Sequence, residues 1–261
     1  MTKTIAMVNQ KGGVGKTTTA INVAAQLATE GQRVLLIDLD PQGNATSGLG
    51  IPKESTARTA YDVLCRGAAL GDVIQKTNHS KLSVLPANSN LAGAEVELVG
   101  RQQREFALKQ VLEQGLAAGG RSGLNYDCVI IDCPPSLGLL TINALTAAGH
   151  VLMPVQAEYY ALEGLSQLLN TIQAVRASTN PHLELLGVAV TMFDKRNSLS
   201  EQVLAEIANY FGDKLFKAVV PRNVRLAEAP SYGRTIYEHD RWSKGARAYK
   251  ALTKEVLGRL G

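Results

Sequence analysis

The sequence predicts an α/β fold: a single domain over residues 1–261, built on a mostly parallel twisted sheet with helices on both faces. Three observations carry this. Continuous apolar runs of strand length recur along the chain, and such runs, unlike alternating ones, mark parallel strands covered on both sides. Segments of helical composition stand between them, as crossover connections require. Polar or glycine-rich segments follow several of the runs, which is where open parallel sheets place their ligands.

Taken in order, the first run is Ile5-Ala6-Met7-Val8. It leads into Gln10-Lys11-Gly12-Gly13-Val14-Gly15-Lys16-Thr17-Thr18, and then into a helix that begins near Ala20 and stops at Glu30-Gly31. Strand, glycine-rich turn and helix form the context of a phosphate-binding loop. Gly12, Gly13, Val14 and Gly15 let backbone N–H groups converge on phosphate oxygens, and the helix N-terminus adds partial positive charge. Lys16 suits the β- and γ-phosphates; the Thr17 hydroxyl, with Thr18 beside it, suits a magnesium ion. The loop departs from the ordinary pattern G-x-x-x-x-G-K-[ST]: Gln10 stands where its first glycine belongs, and Lys11 follows.

The second strand, Arg33 to Asp38, ends in Asp38-Leu39-Asp40-Pro41-Gln42-Gly43-Asn44, which puts Asp40 near a γ-phosphate. Ser47 to Pro52 reads as a loop. Short helices are expected near Thr59–Leu64 and Asp72–Ile74, a strand at Leu82–Pro86, and one helix from Glu95 to Gln114 with Val96 and Val99 among its apolar contacts. Arg101 and Arg104 read as a solvated face. After a loop at Gly119–Gly123, the run Cys128-Val129-Ile130-Ile131 delivers Asp132 beside the phosphate loop, the pattern of a magnesium-holding carboxylate. A strand at His150–Val155 leads to Glu158, which is open to a partner subunit, a nucleotide ribose or plain solvent. Further strands are expected at Leu185–Met192 and Leu215–Val220, and a terminal helix at Lys244–Leu260 whose stripe of Tyr249, Leu252, Val256 and Leu260 docks on the core.

The composition agrees with a full core and narrows the function. Of 261 residues, 45% are hydrophobic, and no run is long enough to span a bilayer. The first strand starts almost at once, which leaves no room for a signal peptide, so a cytoplasmic protein is expected. Cys65, Cys128 and Cys133 have neither zinc nor redox spacing and read as buried thiols. A net charge of +4 permits contact with nucleic acid without requiring it.

Four blocks, residues 9–18, 38–44, 130–138 and 221–230, resemble the ParA/MinD class of phosphate-loop ATPases. Pro221-Arg222-Asn223-Val224-Arg225-Leu226-Ala227-Glu228-Ala229-Pro230 resembles its partition branch in particular. The resemblance implies ATP and Mg2+ as cofactors, and an ATP-bound homodimer in which Lys11 crosses to the partner's nucleotide. It implies that Asp40 positions the attacking water and that Pro221 and Asn223 border the adenine. It further implies binding to non-specific double-stranded DNA, nucleoid association, and hydrolysis stimulated by a ParB-like protein. Lys195, Arg196, Lys217, Arg222 and Arg225 are the candidate DNA contacts, with Arg196 and Arg222 favoured by the family. No N-terminal helix-turn-helix extension is expected. The alternatives are a MinD-like membrane-positioning ATPase, whose lipid-binding tail is not expected here, and another assembly or regulatory ATPase of the class.

Overall fold

The computed structural model describes residues 2–116, 124–158 and 161–261. The loop expected at Gly119–Gly123 and the pair Tyr159-Tyr160 lie outside them. In chain order the elements are β1 (Lys3–Met7), α1 (Lys16–Thr29), β2 (Val34–Asp38), α2 (Asn44–Gly48), α3 (Ala60–Cys65), α4 (Leu70–Val73), β3 (Gln75–Lys76) and β4 (Leu82–Leu85). There follow α5 (Ala92–Val99), α6 (Ala107–Leu116), β5 (Cys128–Asp132), α7 (Leu139–Ala147), β6 (His150–Gln156), α8 (Ala161–Ser178) and β7 (Glu184–Thr191). The last are α9 (Ser198–Phe211), α10 (Val224–Glu228), α11 (Ile236–Asp240) and α12 (Lys244–Leu260).

The strands form one sheet in the order β3-β4-β2-β5-β1-β6-β7, parallel except for the β3–β4 pair. The chain leaves β1 in one direction for β2 and later fills the other side with β6 and β7. That reversal opens a crevice at the carboxyl end of β1, where the glycine loop sits. Successive strand residues point to opposite faces. Ile5, Met7, Val34, Leu36 and Ile130 share a core cluster with α1 and α12, while Ala6, Val8, Leu35, Ile37 and Ile131 belong to the opposite cluster, with buried residues of α3, α5, α6, α7, α8 and α9. Both faces are therefore apolar, which is why the strands read as unbroken runs. All three cysteines are free and buried.

Four expectations need correction. The segment expected to be a loop from Ser47 begins inside α2, whose Thr46 is held by Asp38. The helix expected over Glu95–Gln114 is two helices with a break. Gln103 there adopts a left-handed backbone, and Asn143 of α7 accepts from Leu108 N and donates to Arg104 O, starting the second helix anew. Val96 and Val99 face solvent, 77% and 57% exposed, rather than the core. Arg101 is exposed, as expected of a solvated face, and its guanidinium also donates to the carbonyls of Leu64 and Cys65, which ends α3. Leu215–Val220 runs beside β7 without becoming a strand: Leu215 makes an isolated bridge to Val188 of β7, and just past the segment Pro221 makes another to Phe193, beyond the strand. The Glu255 carboxylate takes the N–H groups of Lys217 and Ala218, which removes them from any ladder.

Candidate functional site

The glycine loop is shaped from both ends. Asn9 donates to Pro154 O of β6 at 2.7 Å and accepts from Lys11 N at 2.9 Å, which turns the chain out of β1. Thr191, the last residue of β7, donates to Val14 O at 2.7 Å and pins the middle of the loop. Gly13 and Gly15 have φ of 77° and 82°, a region that a side chain would strain, so the loop curls inward before α1 starts at Lys16. Lys16 is buried and its ammonium donates to Lys11 O at 3.2 Å. Burial lowers its pKa, and the nearby carboxylates of Asp132 and Asp40 act against that drop. A desolvated ammonium under a curl of backbone amides is a site for an anion of high charge.

Three aspartates line the adjoining strand ends. Register places Asp38 and Asp132 side by side, with Met7 on the other flank of Asp132. Asp38 is an organiser that the sequence reading passed over. Its Oδ2 accepts from Thr46 N and Oγ1 at 2.8 and 2.7 Å, and its Oδ1 accepts from Asp40 N at 3.1 Å. Burial pushes its pKa up to about 6 despite those bonds. Asp40 is buried and accepts from Gln42 N at 2.9 Å. Asp132 is fully buried, and neither of its oxygens has a hydrogen-bond partner of normal geometry. Burial, then the charge of Asp38, raise its pKa well above the carboxylate range; Thr17 and Lys16 oppose the rise without cancelling it. An unpartnered buried carboxylate is costly unless a cation completes it. The donor set fits magnesium, which takes one or two carboxylates and shares the rest of its shell with phosphate oxygens and water. Among the described residues no group of three or more His, Cys, Asp or Glu is placed to hold a metal unaided.

Lys11 behaves differently from Lys16. Its ammonium lies 2.6 Å from Glu158 Oε2, with both side chains 46% exposed. The other oxygen of Glu158 accepts from Gln156 Nε2. Lys11 is thus held at the surface just beyond β6, away from the buried lysine and aspartates.

The candidate cations do not all converge. Lys195, Arg196, Lys217 and Arg222 line one open groove of about 1370 Å³, and Lys244 and Arg247 of α12, which the sequence reading did not single out, join them. Phe193 joins the two loops of this groove, since its N–H donates to Val220 O and its carbonyl accepts from Arg222 N. Arg196 is paired with Asp194 at 3.0 Å but remains 90% exposed. Arg225 does not line the groove; it is bound to Glu228 at 2.9 Å and stands 3.8 Å from Asp240. Pro221 is part of the groove wall, and the Asn223 side chain caps α10 by accepting from Arg225 N.

Comparison with known proteins agrees with this geometry. A family model described as "AAA domain" matches residues 2–185. Among curated proteins, the sporulation initiation inhibitor protein Soj of Bacillus subtilis is 56% identical over 256 residues, covering 98% of each chain. The chromosome partitioning protein ParA of Caulobacter vibrioides is 51% identical over 98% of this chain and 94% of its own. Among solved structures, a protein of Mycobacterium smegmatis named as a cobyrinic acid a,c-diamide synthase, with bound ADP and magnesium, superposes with a TM-score of 0.85 at 39% identity, over 100% of this chain and 96% of its own. It carries another activity in its name, at lower identity than the Soj and ParA proteins just named. A plasmid partition protein of Borrelia burgdorferi superposes with a TM-score of 0.71 at 27% identity, over 91% of this chain and 96% of its own. Identity above one half across nearly the full length of both chains, with phosphate loop and buried aspartates in place, decides the family: the chain belongs to the ParA/Soj chromosome-partitioning ATPases.

Proposed function

We propose that this ATPase is a nucleotide-switched dimer whose ATP-bound form occupies non-specific duplex DNA and whose hydrolysis, stimulated by a ParB-like protein, releases it. The observation that carries this is the contrast between the two loop lysines. Lys16 is buried and serves the chain's own phosphates. Lys11 stands half exposed on Glu158, where it is available to a nucleotide held by a second copy.

In this reading Gly12, Gly13, Val14, Gly15, Lys16, Thr17 and Thr18 cradle the phosphates, while Pro221 and Asn223 border the adenine. Thr17 and Asp132 would hold magnesium, which when bound neutralises charge on the β- and γ-oxygens. Asp40 holds the attacking water in line with the γ-phosphorus, and Lys11 of the facing copy leaves Glu158 to stabilise charge as it builds on the transferred group. The basic groove then meets phosphates. Each copy brings its own groove, so dimerisation multiplies a modest affinity.

The test is light scattering of the purified chain with ATP, ADP and no nucleotide. Asp40→Ala is expected to bind ATP and remain a dimer while its turnover falls at least about a hundredfold. A monomer under all three conditions, or ordinary turnover in that variant, contradicts the reading.

A further inference from the structure

Trp242 is the chain's only tryptophan and is 74% exposed, in the short connection between α11 and α12. One exposed apolar side chain is ordinary and needs no function. This one is set in a built position. Asp240 Oδ1 accepts from Trp242 N at 3.1 Å, and Asp240 Oδ2 lies 3.8 Å from the Arg225 guanidinium of α10. Ser243 caps the next helix by accepting from Ala246 N. The Arg241 guanidinium stands 4.9 Å from the indole centroid and covers one face of the ring. Two residues further on, Lys244 enters the wall of the basic groove, and Arg247 follows one turn later.

In the chain the ring thus precedes by two residues the wall of a groove lined by Lys195, Arg196, Lys217, Arg222, Lys244 and Arg247, against Asp194 and Glu201. Cations that hold phosphates beside an apolar wedge that meets sugars or base edges are a recurring way to grip a duplex. A lipid surface fits less well. Trp242 is flanked by Arg241, Ser243 and Lys244, and the apolar stripe of α12 (Tyr249, Leu252, Val256, Leu260) is buried in the core. We propose that Trp242, held by Arg241 and Asp240, is an uncharged contact to duplex DNA at the edge of the basic groove. This rests on the duplex-binding reading above.

Because Trp242 is alone, its fluorescence reports on this spot directly. The full chain, loaded with a non-hydrolysable ATP analogue and Mg2+, is titrated with a short random-sequence duplex at several salt concentrations. Retention of labelled duplex and acrylamide quenching of the tryptophan are read together. The expected result is that bound duplex shields the ring severalfold from acrylamide. Trp242→Ala should lose about tenfold in duplex affinity with an unchanged salt slope, since no phosphate contact is removed, and Trp242→Phe should recover most of it. Arg222→Ala should instead lower the slope by about one. Duplex retained with quenching unchanged overturns the proposal while leaving the duplex reading intact. So does shielding by anionic phospholipid vesicles but not by duplex. Failure of the unsubstituted chain to retain duplex removes the reading beneath it as well.

Discussion

At the scale of the residue, the charge pairs set what is free to move. The Lys11–Glu158 pair is half exposed, so it is worth no more than about 1 kcal/mol, enough to hold Lys11 without trapping it. Glu158→Gln is expected to raise ATP-dependent dimerisation and basal hydrolysis by up to about fivefold; steady-state ATPase assays check this, and unchanged rates would mean the pair imposes no restraint. Asp194 restrains Arg196 in the same way. The Arg196 guanidinium holds the Asp194 carboxyl at about 2, below its ordinary value. The pair is therefore intact above the usual carboxylate range and lost only as pH falls towards 2, so it competes with phosphate at every pH where the protein works. Asp194→Asn should tighten duplex binding a few-fold, measured by anisotropy at low salt; weaker or equal binding would show that Arg196 does not contact phosphate. Motif residues at this scale were legible because their spacing is local. Asp38 was not. Its importance comes from accepting bonds from Thr46 and Asp40, and a buried aspartate looks the same in sequence as one ending a strand.

At the scale of the element, α12 shows what a stripe can and cannot reveal. Tyr249, Leu252, Val256 and Leu260 repeat at helical spacing, and all four are buried as that spacing implies. The Tyr249 hydroxyl meets Thr19 of α1 at 3.0 Å, directly behind the phosphate loop. The polar side of the same helix carries a second anchor that no pattern announces. The Arg259 guanidinium donates to the carbonyls of Leu186, Asp213, Lys214 and Leu215 and lies 3.9 Å from the Phe216 ring centroid. Arg259→Met removes four donors from carbonyls that then face only water or a thioether. A loss of about 2–3 kcal/mol in urea unfolding is expected, with nucleotide binding retained; a loss below 1 kcal/mol would show that water replaces the guanidinium. The run Leu215–Val220 was misread for a related reason. Apolarity reports burial, whereas strand identity depends on where the N–H groups go, and Glu255 takes two of them.

At the scale of the whole molecule, two sites share the carboxyl edge of the sheet. The phosphate loop follows β1, and the basic groove begins where β7 ends. Thr191 bonds the loop through Val14 O, and Phe193, two residues on, ties both groove loops together. Loop and groove are thus joined through a short stretch of chain, Thr191 to Phe193. The central parallel sheet, and the buried placement of Asp40 and Asp132 near Lys16, were readable from runs and their endings. The groove was only partly so, because Lys244 and Arg247 come from the far end of the chain and Arg225, close in sequence to Arg222, is turned into an ion-pair cluster. The apolar stripe of α12 is spent on the core, and no described helix is long and apolar enough to cross a membrane.

The most direct measurement is retention of a random-sequence duplex by the full chain with ATP, with ADP and without nucleotide, with Lys16→Ala alongside. The expected result is retention with ATP only, steeply weakened by salt and absent in Lys16→Ala. Equal retention under all three conditions, or none with ATP, contradicts a DNA-occupancy switch set by the nucleotide.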